Sequence, residues 1–158
     1  MQSFSHFDSE GASRMVDVGE KAITVRMARA GAQVRMRRET LRLIRDRGLA
    51  KGDVLEVARL AGILAAKRTA ELIPLCHTLP LDAVSVSFQF PDEMTIAILA
   101  EARATARTGV EMEAMVAASI AALTIYDMCK SVDREIVVEN VLLEEKAGGR
   151  SGHFRRNP

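Results

Sequence analysis

One long apolar segment constrains this fold more than any other feature of the sequence. Residues 110–130 have helical character, and the run of thirteen residues from Ala114 to Tyr126 contains no charge. A helix that is apolar on most faces must be buried on most sides. Thirteen residues are too few to cross a bilayer, so we expect this helix in a protein core. Because one small sheet cannot cover it all, we expect part of it to be buried in a homo-oligomer.

The segments around this helix predict an α+β fold. Four regions have strand character, and a short helix and a second long helix lie between the first two. The predicted strands are 21–36, 83–90, 94–106 and 134–145, and the predicted helices are 38–47, 53–72 and 110–130. Without the short helix the order is βαββαβ, the ferredoxin-like pattern. We therefore expect a four-stranded antiparallel sheet with two long helices on one face and the short helix as an addition.

Local patterns add details to this architecture. The apolar parity of the first strand changes at Arg29–Gly31, which predicts a β-bulge there and places Arg26 on the polar parity. Asp53, followed three residues later by Glu56, predicts the N-cap of the second helix. We expect a flexible N-terminal segment over 1–18, one domain over 19–146 and a glycine-rich basic tail over 147–158.

Composition argues against several classes of function. With 22 Lys and Arg against 21 Asp and Glu, the net charge is +1, and no overall field attracts nucleic acid or an anionic membrane. Trp is absent, and Phe88 and Phe90 share the parity of core residues, which disfavours an RNA-binding module. The cysteines show neither disulfide nor metal-ligand spacing, so we predict no metal site. The polar N-terminus lacks a signal region, so we expect a cytoplasmic protein.

Two acidic positions on the apolar helix are candidates for chemistry. Asp127 and Lys130 are three residues apart near its end and lie on one face, where they form either a proton-transfer pair or an ordinary surface ion pair. Glu113 lies in the first turn, roughly 21 Å from Asp127 along the axis. One reacting centre can contact both carboxylates only if the site joins two subunits; otherwise one carboxylate is structural.

Basic residues and one rigid loop provide further candidates. Lysine supplies only five of the 22 basic residues, which points to selective use or to codon bias. Lys51 precedes a helix N-terminus suited to anions, and residues 146–152 either wrap a phosphate or form a disordered tail. The loop between Pro74 and Pro80 presents Cys76 and His77, as an acid–base or phosphate site or as a tight connector.

Taken together, these motifs resemble a known family. The matching segments are Met15–Val18, Lys51–Val54, Ala65–Thr69, Leu72–His77, Thr108–Ala114, Ala121–Lys130 and Gly148–Gly152. In this order they are similar to the cyclic pyranopterin monophosphate synthase family, over nearly the whole chain from about Met15. A regulatory module that binds a small molecule without catalysis is the alternative, but it would not need Asp127 beside Lys130.

The resemblance implies a reaction and an assembly. The family converts 3′,8-cyclo-7,8-dihydroguanosine triphosphate into cyclic pyranopterin monophosphate and diphosphate, in molybdenum cofactor biosynthesis. It has a ferredoxin-like fold and forms a homohexamer, a trimer of dimers, with sites between subunits. The reaction needs no redox cofactor, and magnesium is a possible companion of the triphosphate that the sequence does not show.

The resemblance also assigns roles to residues. It implies that Asp127 is the catalytic acid–base group and Lys130 its partner. The substrate contacts that it implies are Leu75, Cys76, His77, Glu111, Met112 and Glu113. It implies phosphate or acid–base roles for Lys51, Lys67, Arg26 and Lys146, with Lys51 placed among the catalytic groups. Arg150 stands where a lysine is common in the family, which leaves its phosphate contact open.

Overall fold

A computed structural model describes residues 5–47 and 53–157 and contains the predicted order of strands and helices. The elements are β1 (Thr24–Arg35), α1 (Arg38–Arg45), α2 (Val54–Ala66), α3 (Thr69–Leu72), β2 (Ala83–Gln89), β3 (Thr95–Ala106), α4 (Glu111–Cys129), β4 (Val137–Ala147) and β5 (Phe154–Arg155). All strands pair antiparallel in the order β2-β3-β1-β4-β5. This confirms the α+β class and the ferredoxin-like arrangement. The sheet has five strands instead of the predicted four, because the short β5 pairs with the end of β4.

Small side chains fill the space between the sheet and α4. Both elements contain fully buried alanines: Ala28, Ala30, Ala100, Ala102 and Ala104 in the strands, and Ala114, Ala117, Ala118, Ala121 and Ala122 in the helix. On the other side α2 packs against α4 through Gly62, where a Cβ would lie 2.9 Å from the Ala117 carbonyl oxygen. By length and composition α4 could cross a membrane, yet 56% of its apolar window is buried in the protein. Such burial is typical of a core helix, as predicted.

The parity change predicted within β1 does not occur. β1 pairs with β3 without interruption from Thr24 to Arg35, and all of its buried residues except Gly31, which has no side chain, share one parity. The side chains of Ile23 and Val25 are 59% and 71% exposed because they lie on the other face. Arg26 therefore shares the parity of the buried residues, so its predicted place on the polar parity is wrong.

The irregularity predicted at residues 29–31 is present, but its cause lies in the neighbouring strand. The register between β1 and β4 shifts after Arg29 and again after Gly31. At each shift β4 contains one more residue than β1, and one of its extra residues, Asn140, has a φ of 55°. The bulges therefore bend β4, whereas β1 remains regular along β3.

The connections differ from the predictions at two helix and strand boundaries. The Asp53 carboxylate accepts a hydrogen bond from the Glu56 N–H at 3.2 Å, which confirms the N-cap of α2. The predicted single helix to residue 72 is divided into α2 and α3, and β4 begins at Val137 rather than at residue 134. The turn before β4 is held by Asp133, which is buried and accepts hydrogen bonds from the Arg37 N–H and the Thr40 hydroxyl.

Candidate functional site

Two adjoining cavities lie beside the N-terminal end of α4. The first has a volume of about 490 Å³ and the second about 400 Å³. They share Lys21, Thr108, Gly109 and Glu111, so the turn between β3 and α4 forms part of the wall of both. We call the first the basic cavity and the second the loop cavity.

The basic cavity concentrates positive charge. Its lining includes five cationic side chains, those of Lys21, Arg26, Arg107, Lys146 and Arg150, together with the carboxylate of Glu111. The Lys146 ammonium lies 3.4 Å from Glu111 Oε1 and donates a hydrogen bond to the Ser151 hydroxyl at 2.5 Å. With cations in excess of carboxylates, this cavity is suited to a polyanion such as a chain of phosphates.

Arg26 is anchored at the end of β3. Its Nε donates to the Ala106 carbonyl oxygen at 3.3 Å, and its Nη2 donates to the Arg107 carbonyl oxygen at 3.2 Å. These two bonds follow from the parity of Arg26, which directs its side chain past the paired strand end. The anchored guanidinium fixes one positive charge in the wall of the basic cavity.

The loop cavity contains the predicted loop and the first turn of α4. Its lining includes Leu75, Cys76, His77, Met112 and Glu113. The N-terminal segment supplies another wall, with Ser5, His6, Val16 and Val18. The cavity therefore brings together residues from three separate parts of the chain, and it combines apolar surface with groups that can transfer protons.

His77 joins the rigid loop to the N-terminal segment. Its Nε2 lies 2.7 Å from the Val16 carbonyl oxygen. Since a carbonyl oxygen only accepts, Nε2 carries the hydrogen and donates it. In the neutral ring Nδ1 is then the acceptor nitrogen. Within the same segment, the Asp8 carboxylate accepts hydrogen bonds from the N–H groups of Glu10 and Ala12 at 2.9 Å.

The electrostatic surroundings favour the protonated forms of two groups in this cavity. Burial raises the pKa of Glu113, which is only 4% exposed, and the nearby Glu111 carboxylate raises this pKa further. Burial also raises the pKa of the Cys76 thiol, with a smaller contribution from Glu113. Cys76 is therefore a poor nucleophile, whereas a carboxyl group of raised pKa is suited to acid–base chemistry.

Asp127 and Lys130 lie at the opposite end of α4, outside the two cavities. Asp127 Oδ1 is 2.6 Å from Lys130 Nζ, and the two side chains are 64% and 52% exposed. The hydrogen bond to Asp127, followed by the charge of its carboxylate, raises the pKa of Lys130. The predicted pair on one helix face is confirmed, and its separation from Glu113 along α4 leaves it apart from the cavities of its own chain.

The remaining candidates are dispersed. Lys67 lines a third cavity of about 400 Å³, which shares Leu79 with the loop cavity. Lys51 lies outside the described residues. No site role was predicted for Lys21 or Arg107, but both line the basic cavity. Two signals could have identified them, because Lys21 is one of the five scarce lysines and Arg107 precedes the Thr108–Gly109 motif.

The chain is similar to known proteins over nearly its whole length. The model of the MoaC family matches residues 15–149. The chain is 58% identical over 159 residues to the cyclic pyranopterin monophosphate synthase of Magnetococcus marinus, covering 99% of this chain and 97% of that protein. It is 56% identical to cyclic pyranopterin monophosphate synthase 1 of Mycobacterium bovis, over 98% of this chain and 91% of that protein. The synthase of Brevibacillus brevis is 51% identical, over 96% of this chain and 95% of that protein.

Proposed function

The chain belongs to the MoaC family, and from this premise we propose how its residues perform the reaction of that family. Its function is the conversion of (8S)-3′,8-cyclo-7,8-dihydroguanosine 5′-triphosphate to cyclic pyranopterin monophosphate with release of diphosphate, in molybdenum cofactor biosynthesis. We assign the reaction to the phosphorus–oxygen lyases and place it in the cytoplasm. The residue roles and the assembly described next belong to the proposal.

The substrate is divided between the two cavities. The triphosphate occupies the basic cavity, where Lys21, Arg26 and Lys146 neutralise its charge. The base-derived ring system occupies the loop cavity against Leu75, Cys76 and Met112. The observation that carries this assignment is the shared wall, since one cavity supplies cations and the adjoining one supplies apolar surface and titratable groups.

Proton transfer is assigned to groups from two subunits. Opening the purine-derived ring and rebuilding it as a pterin moves protons at several atoms, which requires placed acids and bases. Asp127 and Lys130 supply one such pair, with Lys51 as a third catalytic group and Lys67 as a further cation near the substrate. Because Asp127 is roughly 21 Å along α4 from Glu113, it acts on substrate held by a neighbouring subunit. The proposed assembly is a homohexamer, a trimer of dimers.

Closure of the cyclic phosphate develops negative charge on the departing diphosphate. Lys146 lies in the basic cavity, and His77 lies in the adjoining loop cavity. Cations fixed before the reaction stabilise such charge more than mobile solvent does. We propose that Lys146 and Lys51 supply this stabilisation, together with His77 in its protonated form, in which Nδ1 is also a donor.

The proposal includes no resident cofactor. The rearrangement and the loss of diphosphate need no redox group. Within residues 5–47 and 53–157, no group of three or more His, Cys, Asp or Glu side chains is placed to hold a metal ion. Magnesium enters, where it is used, with the triphosphate.

Incubation of the purified protein with the cyclised nucleotide tests the function. We expect diphosphate and the cyclic monophosphate to appear in equal amounts. The Arg26→Ala variant should raise KM about tenfold, the effect of losing a charge-assisted contact of about 1.4 kcal/mol. Arg38→Ala is the matched control, since Arg38 forms an exposed ion pair with Glu93 at 2.9 Å and lines neither cavity. Tight binding of the nucleotide without diphosphate release would identify a binding module instead.

A further inference from the structure

We propose that Gly149 is a positioning residue for the substrate and acts through Arg26, an inference that rests on the proposed function of the basic cavity. Gly149 has a φ of 76°, and a Cβ built on it would lie 1.8 Å from Arg26 Nη1 and 2.6 Å from Arg26 Cζ. The guanidinium therefore occupies the space that any side chain at position 149 would need. Because Gly149 has no side chain, the Arg26 guanidinium can lie against its backbone, and this contact fixes the position of the positive charge in the cavity wall.

Three elements together determine where this guanidinium lies. The carbonyl oxygens of Ala106 and Arg107 accept hydrogen bonds from Nε and Nη2 on one side, and the Gly149 backbone borders Nη1 on the other. The two carbonyls use two of the five N–H donors of Arg26, which leaves donors of this planar group for phosphate oxygens. A guanidinium displaced from this position would lose both its carbonyl partners and its place in the cavity wall.

Neighbouring glycines distinguish this effect from ordinary backbone strain. At Gly148, with a φ of 102°, an added Cβ would lie 2.2 Å from the Val25 carbonyl oxygen, a backbone atom held in β1. At Gly149 the collision is with the end of a flexible side chain, which can move. At Gly152, with a φ of 65°, an added Cβ meets nothing within 4 Å. Alanine at positions 149 and 152 thus has a similar backbone cost, but only alanine at 149 displaces Arg26.

A double-mutant cycle on the whole protein tests the coupling. The variants are Gly149→Ala, Arg26→Ala, the combination of both, and Gly152→Ala as the matched control. The readouts are the Kd of inorganic triphosphate by calorimetry, and KM and kcat for the cyclised nucleotide. We expect Gly149→Ala to weaken triphosphate binding and raise KM about tenfold, and Gly152→Ala to change either less than about twofold. In the Arg26→Ala background, Gly149→Ala should add less than about twofold, because the displaced group is already absent.

The other results contradict the inference. If Gly152→Ala weakens triphosphate binding as much as Gly149→Ala does, the effect is due to backbone strain. If Gly149→Ala weakens binding by the same factor in the Arg26→Ala background, the two positions act independently. A wild-type protein that binds no inorganic triphosphate would also overturn it. If Gly149→Ala fails to fold, recovery of the fold in the double variant supports the collision, and failure of both refutes it. Wild-type turnover tests the proposed function separately, since normal diphosphate release with no coupling removes only the role of Gly149.

Discussion

The two ends of α4 differ in how much of a site one chain can build. At the first turn, Glu113 is buried, lines the loop cavity and has a pKa that is raised by burial within its own chain. At the last turn, Asp127 and Lys130 form an exposed ion pair outside both cavities. An exposed pair contributes little free energy and is poorly tuned for proton transfer. The proposed role of Asp127 and Lys130 in proton transfer therefore requires that another surface, that of a neighbouring subunit in the proposed assembly, covers this pair.

The largest effect is expected from Asp127→Asn. If Asp127 transfers protons, turnover should fall by at least about a hundredfold, the usual contribution of a general acid–base group. The melting temperature and the oligomeric state should not change, because asparagine has nearly the same size as aspartate and an exposed ion pair contributes little free energy. Asp46→Asn is the matched control, since Asp46 is an exposed partner of Arg42 in an i,i+4 pair. Kinetics with the cyclised nucleotide and calorimetry measure both effects, and wild-type turnover in Asp127→Asn would refute the catalytic role.

Co-assembly of two inactive variants tests whether the two ends of α4 meet between subunits. Glu113→Gln and Asp127→Asn chains, produced together at equal amounts, should recover about a quarter of the wild-type sites, because each site then draws its two ends at random. The control is a mixture of the two variants that were assembled separately and do not exchange subunits. The activity of the co-assembled sample is compared with the activity of this mixture. No recovery would mean that both groups act from one chain or that one of them is structural.

A smaller effect is expected from changing His77, which concerns only the first end of the helix. His77→Gln retains a donor near the position of Nε2, whereas His77→Asn loses the bond to the Val16 carbonyl. A typical hydrogen bond contributes about 1 kcal/mol, so amide exchange around residues 16–18 should accelerate about fivefold in His77→Asn. Mass-spectrometric hydrogen exchange measures this rate, with His77→Gln as the control. Equal protection in both variants would contradict the anchoring role.

The smallest effect concerns stability and pH. Because the folded protein has a raised pKa at Glu113, the folded state binds this proton more tightly than the unfolded state does. This contribution to stability is fully present below the unfolded pKa and is lost as pH rises through the folded pKa. Glu113→Gln should therefore gain stability relative to wild type as pH rises from about 4 toward neutrality. Urea unfolding of both proteins across this pH range measures the free energy of unfolding of Glu113→Gln relative to wild type. If this difference stays constant or falls as pH rises, the pKa of Glu113 is not raised in the folded protein.

The sequence predicted those features of the site that depend on local spacing. The pair of Asp127 and Lys130 follows from helical periodicity, and the loop with His77 follows from its two prolines. The basic cavity could not be predicted in the same way, because Lys21 and Arg107 meet only after β1 pairs with β3. A cavity of this kind forms when distant segments of the chain pair, and the periodicity within one segment does not reveal which segments will pair.

The contrast between local patterns and long-range pairing also explains where the predicted fold differs from the observed one. β5 contains two residues, which is too short for any alternation to appear in the sequence. The predicted change of parity in β1 was wrong because Ile23 and Val25 are apolar although they are exposed. Their apolar character made the wrong face of the first half of the strand look like the buried one. An apolar side chain is buried only where another element packs against it, and a single sequence does not show which face of a strand is covered in this way.

One uninterrupted helix, α4, extends from Glu111 to Cys129 and contains several fully buried alanines. A helix rises by a fixed distance per residue, so its length depends only on its number of residues. The spacing between Glu113 and Asp127 is therefore set by residue number alone. Inserting one residue between them would turn Asp127 by about 100° and advance it by about 1.5 Å. In the proposed assembly, one such change would misalign the two ends of the helix in each site between subunits.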